Sequence, residues 1–268
     1  MIIFKAELVF FEDFAVGSER PHVRCLRFAP INAPQGADTR GFADHLPGQY
    51  ALLKFGEFAW RPYSVANTPN GHMLEFHIRA GHSGPSHYAT HDIEIGEIIE
   101  IQGFAGDCYF QGDCNRPIIL IAGGTGLAPM LAIAEAALAH DPHRHITLYY
   151  GGRHMADLYA HHLLIKLQQD FPCFQYYPVL THPQELEPEE PKRGEPEIEL
   201  LMSPLIGTVS EVAFAHAPHL SESRVYASGP VEMLRHSYHL AENLAAQAKF
   251  DMAQYHSDLS AFDLRTSS

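Results

Sequence analysis

The sequence predicts two domains: an antiparallel β-barrel over residues 1–113, followed by an α/β domain with a doubly wound parallel sheet over 114–268. Three observations predict this. The chain has 268 residues, more than one average domain needs. Up to about residue 112, short β-branched and apolar runs recur between turn signals, the pattern of a closed barrel or sandwich. From Arg116 onward, short and wholly apolar runs alternate with helical patterns, the pattern of strands buried on both faces. A hydrophobic fraction of 46% against 19% charged residues supplies material for a core and excludes disorder across the whole chain.

In the first half the strands are read at Ile3–Phe11, Arg24–Phe28, Tyr50–Phe55, Leu74–Arg79 and Ile98–Gln102. Turns are read at Ala33-Pro34-Gln35-Gly36, Leu46-Pro47-Gly48 and Pro69-Asn70-Gly71. Trp60 to Ala66 forms a further strand, and His87–Thr90 a short helix. In the second half, strands at Ile118–Ala122, Ile146–Tyr150, Gln175–Leu180 and Arg224–Ser228 alternate with helices at Ala128–His140, Ala156–Gln169 and Val231–Ala248. Pro183–Glu199 holds seven Glu and four Pro with only Lys192 and Arg193 as cations, the composition of a solvated surface loop. Its sharper reading is an acidic docking segment.

Composition and charge exclude several functions. A net charge of −14 disfavours nucleic acid or an anionic membrane as main partner, because phosphate binding runs on clustered Lys and Arg. The apolar run Ile118 to Ala139 is long enough to span a bilayer. Gly123, Gly124, Gly126 and Pro129 in its middle favour a strand, a turn and a helix instead. The N-terminus, interrupted by Lys5, Glu7, Glu12 and Asp13, does not read as a signal peptide. Four scattered cysteines show no CxxC and no iron–sulfur spacing, so a reducing cytoplasm is expected. Among nineteen histidines, the His87/His91 pair and the His140, His143, His145 group lack nearby Cys and further ligands. No metal site is expected from them.

Three stretches carry chemistry. Gly123-Gly124-Thr125-Gly126 follows a buried strand and opens a helix that has Pro129 in its first turn. Free N–H groups and the positive helix end favour a phosphate there. Pro129 replaces the third glycine of the dinucleotide fingerprint, and no acid follows the next strand, so a ligand-free tight turn stays open as an alternative. Arg61-Pro62-Tyr63-Ser64 offers a guanidinium for a diphosphate, a flat ring for stacking and a hydroxyl for a heterocycle. On periodicity alone, Tyr63 is more often a packed sheet residue and Arg61 a surface ion pair. Ser83-Gly84-Pro85-Ser86 is a loop of small residues suited to holding phosphate through main-chain N–H groups.

Arg-x-Tyr-Ser, a small-residue loop, Gly-Gly-Thr-Gly-x-Ala-Pro and then Ser228-Gly229-Pro230-x-x-Met233 follow in this order. Each motif alone is weak; together, over about residues 5–262, they resemble the ferredoxin–NADP+ reductase superfamily. Within it, the chain is similar to the reductase components of bacterial oxygenases and to bacterial flavin reductases. The resemblance implies FAD in the barrel and NAD(P)H in the α/β domain. FAD would be held by Arg61, Pro62, Tyr63 and Ser64, by the strand residues His77, Ile78 and Arg79, and by the loop Ser83, Gly84, Pro85 and Ser86. NAD(P)H would be held by Gly123, Gly124, Thr125, Gly126 and Pro129, by Arg153 and Asp157, and by Ser228, Gly229, Pro230 and Met233. Ser64 and Ser228 are the candidate catalytic positioning groups. Phe262, or Tyr255, would cover the flavin.

Two departures from the family pattern stand out. Ser83 replaces a usual loop glycine, and Ser228 replaces a cysteine common before Gly-Pro. The iron–sulfur domain fused to many such reductases is absent from this sequence. The implied chemistry is hydride transfer from NAD(P)H to flavin across about 3–3.5 Å. Thr181-His182 after the third parallel strand lacks the arginine common in NADPH users, which favours NADH. The expected acceptor is a separate ferredoxin or oxygenase component. The alternatives are reduction of free flavin, or a non-enzymatic redox sensor or regulatory subunit.

Overall fold

The computed structural model describes residues 3–14, 23–31, 42, 44–113, 115–183 and 203–258. The turn expected at 33–36, nearly all of the acidic segment 183–199, and Phe262 lie outside them. The chain divides into two compact units, residues 1–114 with 125–142, and residues 115–124 with 143–268.

The first unit is built on strands β1 (Ile3–Asp13), β2 (Val23–Pro30), β3 (Tyr50–Lys54), β4 (Arg61–Ser64), β5 (Leu74–Arg79) and β6 (Ile98–Ala105), with helices α1 (Pro85–His91) and α2 (Leu127–His140). The strands pair antiparallel in the order β4-β3-β6-β1-β2-β5. An isolated antiparallel bridge, Val65 to Phe76, joins the two edges and makes the sheet a barrel. Alternation sends Leu8, Leu26, Phe28, Leu53, Phe76 and Ile101 into the interior, where burial of these side chains drives closure. The turn at Asn70 is fixed by its side-chain oxygen, which accepts the N–H groups of His72 and Met73 at 2.9 Å.

The second unit contains β7 (Ile118–Gly123), β8 (Ile146–Gly152), α3 (His161–Asp170), β9 (Phe174–Leu180), β10 (Leu205–Ile206), α4 (Val209–His216), β11 (Arg224–Ser228), α5 (Val231–Ala246) and β12 (Tyr255–Ser257). All six strands run parallel in the order β10-β9-β8-β7-β11-β12. The strand order reverses beside β7, which creates a switch point between β7 and β11. Every residue of β7 and β11 is buried, as expected of strands covered on both faces. Among the described residues, no helix is long and apolar enough to cross a membrane.

Several boundaries differ from the sequence reading. The helix read from Ala156 begins at His161, because Met155–Asp157 forms a 3₁₀ turn. There the Asp157 carboxylate accepts the N–H groups of Arg153 and His154. Helix α5 stops at Ala246, since Ala248 adopts a left-handed φ of 57°. Elements β10, α4 and β12 are too short to show a period in the sequence. Helix α4 owes its start to Thr208, whose hydroxyl accepts the Glu211 N–H.

Candidate functional site

In the first unit, β4, the loop before α1 and the first turn of α1 line an open cleft of about 310 Å³ formed by Arg61, Pro62, Tyr63, Ser83, Pro85 and Ser86. Antiparallel pairing with β3 sets these β4 side chains, with Tyr63 opposite Ala51 and Arg61 opposite Leu53. Tyr63 stands edge-on to Phe55, with ring centroids 6.1 Å apart, and shares a hydrogen bond of 3.1 Å with Ser86. Burial pushes the Tyr63 phenol above its ordinary value, so at neutral pH it remains a neutral hydrogen-bonding ring. Arg61 is exposed and forms no ion pair with a described residue. The cleft therefore presents a guanidinium, two hydroxyls and a flat ring, a set that fits a diphosphate attached to an aromatic heterocycle.

Other residues of the expected flavin set stand elsewhere. Ser64, half-buried at the end of β4, does not line this cleft. Ile78 points into the barrel core, His77 bonds to Glu75 at 3.1 Å on the opposite face of β5, and Arg79 is exposed. Tyr255 is committed to packing in the second unit: its hydroxyl donates to Ser237 at 3.0 Å and its ring meets Tyr238.

In the second unit, the C-terminal ends of β7 and β11 form a second constellation. Backbone there approaches so closely that side chains do not fit. A Cβ on Gly229, whose φ is +155°, would lie 3.1 Å from the N and O of Gly123 and 2.8 Å from Met233 Cε. A Cβ on Gly123 would lie 2.7 Å from Met233 Sδ and 3.1 Å from Pro230. Gly123, Gly229, Pro230 and Met233, singled out separately in the sequence, thus form one packed group. Gly124 is different. It has a left-handed φ of +54° and open space where a Cβ would point. Residues 124–126 make a 3₁₀ turn, and α2 follows with Thr125 and Gly126 before it and Pro129 in its first turn. That first turn has no side-chain cap and no acid. Its N–H groups are donors for an anion.

Two groups that sequence reasoning missed organise this constellation. The buried Tyr150 hydroxyl donates to the Gly124 carbonyl at 3.2 Å and holds the glycine turn from below. Removing it in Tyr150→Phe is expected to loosen the turn by about 1 kcal/mol, the worth of one neutral hydrogen bond. A thermal melt of the variant should show a correspondingly lower Tm. The second group is Asp258. Parallel pairing of β12 with β11 carries the chain past Ser257 and brings Asp258 to Ser228, whose hydroxyl donates to the Asp258 carboxylate. The proton of the Ser228 hydroxyl is thereby taken, which leaves its lone pairs, rather than a donor, for a ligand.

Asp258 has an exposed surface as a residue, yet the density of chain around its carboxyl raises it to about 6, while the Ser228 hydrogen bond acts in the lowering direction. A raised folded-state value favours the folded protein in acid, and this contribution is lost as pH rises through about 6. Below that pH the neutral carboxyl accepts the Ser228 hydroxyl more weakly. The pH dependence of folding stability is expected to inflect near 6, and Asp258→Asn should flatten it. An unchanged inflection in the variant would exclude Asp258 as its source.

The exits of β8 and β9 are laced together. His182 N–H donates to the Arg153 carbonyl at 2.9 Å, and His154 Nδ1 bonds to the His182 carbonyl at 2.8 Å. Asp157 serves main-chain N–H groups here, as described above, while the Arg153 side chain is exposed.

The chain matches the family described as "Oxidoreductase NAD-binding domain" over residues 120–239. It is 38% identical over 136 residues to the reductase component of a naphthalene 1,2-dioxygenase system from Pseudomonas putida, covering 50% of this chain and 42% of that protein. It is 30% identical over 199 residues to a Vibrio harveyi protein described as "Probable flavin reductase", covering 70% of this chain and 76% of that one. The chain belongs to the ferredoxin–NADP+ reductase superfamily. A ferredoxin reductase in carbazole 1,9a-dioxygenase shares the fold, with a TM-score of 0.73 at 22% identity, over 96% of this chain and 69% of that one. The chain spans about half the length of the first curated superfamily relatives that it matches. Both superfamily domains are present, the antiparallel barrel and the parallel sheet.

Proposed function

We propose that this chain is a flavin-dependent NAD(P)H oxidoreductase that delivers electrons to a separate ferredoxin or oxygenase component in the cytoplasm. The observation that carries this reading is a pair of nucleotide-type sites, one in each unit. The barrel unit has the Arg61–Tyr63–Ser86 cleft. The parallel unit has an open glycine turn at the switch point of its sheet, where ligands of such sheets bind. A bound FAD would supply the chemistry of hydride acceptance and onward electron transfer, held by the residues of the barrel cleft.

The chain's own residues supply binding and orientation. Arg61 and the Ser83 and Ser86 hydroxyls hold the FAD diphosphate, and Tyr63 stacks on the flavin. Ser64 stands at the end of the same strand to hydrogen-bond its heterocycle. The glycine turn at Gly124 receives the NAD(P)H diphosphate, and Ser228, fixed by Asp258, orients the nicotinamide. NADH is favoured over NADPH, because Thr181 and His182 follow β9 where an arginine would bind a 2′-phosphate.

A second reading, reduction of free flavin, is favoured by the coverage of the Vibrio harveyi relative, 76% of whose length this chain matches. One experiment separates the readings. The purified protein is examined by visible spectroscopy, then mixed anaerobically with NADH and, separately, NADPH. Yellow protein that bleaches supports a bound-FAD reductase, and the faster reductant identifies the donor. Colourless protein that reduces added flavin supports the second reading. A protein that neither binds flavin nor oxidises NAD(P)H would refute both readings.

A further inference from the structure

The outer face of the barrel sheet, away from the Arg61 cleft, carries a set of metal-ligating side chains. Strand β2 sends Leu26 and Phe28 into the core, so Cys25 and Arg27 face outward. Strand β5 sends Leu74, Phe76 and Ile78 inward, so Glu75 and His77 face outward. Past an irregularity between Leu8 and Phe10, β1 packs Phe11 against the core and turns Glu12 outward. The register then places Glu12, Cys25 and His77 in one cross-strand row, with Arg27 and Glu75 in the next.

The result is compact. The ligand atoms of Cys25, Glu75 and His77 all lie within 4.8 Å of one another. Cys25 is 2% exposed and His77 6%, although both are on the outer face of the sheet. His77 Nε2 and Glu75 Oε1 are 3.1 Å apart. Two ligands at about 2.0–2.1 Å from a tetrahedral zinc ion stand about 3.3 Å apart, so this pair already has nearly the required spacing. Arg27 Nε holds the other Glu75 oxygen at 2.6 Å. It would remain there as an outer partner that orients the ligand.

We propose that Cys25, Glu75 and His77, with Glu12 as fourth donor, form a zinc site that ties β1, β2 and β5 together. One sulfur, one nitrogen and two oxygens suit a borderline-soft cation such as zinc and disfavour magnesium and calcium, which take oxygen ligands only. Charge balances as well: the thiolate and two carboxylates carry three negative charges, against Arg27 and a divalent ion. Binding displaces the thiol proton to solvent. The ligands come from three strands more than ten residues apart in sequence, so no short motif marks the site.

The test is a zinc titration of tag-free, chelator-treated holoprotein in competition with a chromophoric chelator, followed by cobalt substitution. One equivalent of zinc per chain is expected, with a rise in Tm, and cobalt should give a thiolate-to-metal charge-transfer band. Cys25→Ser and Glu12→Gln should each weaken zinc binding at least about tenfold, whereas Cys173→Ser should leave it unchanged. Glu12 is exposed, so its variant folds even if Cys25→Ser does not. No stoichiometric zinc, no charge-transfer band, or undiminished affinity in both variants would overturn the proposal.

Discussion

Replacing Arg61 with alanine is expected to weaken FAD binding markedly while leaving the fold intact. The side chain is exposed, forms no ion pair with a described residue and lines the barrel cleft. Its removal therefore costs the apoprotein little. A charge-assisted pair between guanidinium and diphosphate contributes about 1.5–3 kcal/mol. At about 1.4 kcal/mol per decade, flavin should bind roughly 10- to 100-fold more weakly. Arg61→Lys should fall between the two, because the ammonium keeps the charge and loses the planar fork. Flavin fluorescence titration of the apoprotein measures the effect. Equal affinity in wild type and Arg61→Ala would remove Arg61 from the site.

Gly229→Ala is expected to damage the nicotinamide side and spare the flavin side. Its φ of +155° is unfavourable for any L side chain, and its new Cβ would press on the main chain of Gly123 at 3.1 Å. Backbone cannot yield as a side-chain tip does, so the strain, about 1–3 kcal/mol, is passed to the glycine turn. Anaerobic reduction by NAD(P)H should slow by about 10- to 100-fold in kcat/KM. Flavin content should match wild type, since Gly229 belongs to the unit without the cleft. Loss of flavin together with reduction would show instead that the substitution unfolds the chain, which a thermal melt distinguishes.

Much of this was legible in the sequence because its cause is local. Ile118–Ile121 is apolar at every position, and only a strand covered on both faces tolerates that. Gly123 to Gly126 announced a sharp strand-to-helix turn through glycine's freedom at positive φ, which Gly124 uses. Asn70-Gly71 announced its turn through a side chain that bonds its own neighbours. The start of α3 was misplaced because Ala156, Leu158 and Ala160 suit a helix by propensity. The carboxylate of Asp157 bonds two N–H groups instead and holds a tighter turn.

By itself, then, the sequence determined the order of an antiparallel and a parallel sheet, because alternation, apolar runs and glycine turns act over a few residues, and the order of its motifs carried the resemblance to the superfamily. Only the tertiary structure decided which distant residues meet. The pairing of β12 with β11 sets Asp258 on Ser228, and one strand register aligns Glu12, Cys25 and His77. The physical reason is that side-chain direction has period two along a strand. A register shift of one residue turns every side chain to the opposite face. Cross-strand partners are therefore chosen by how the whole sheet packs, which no short window of sequence contains.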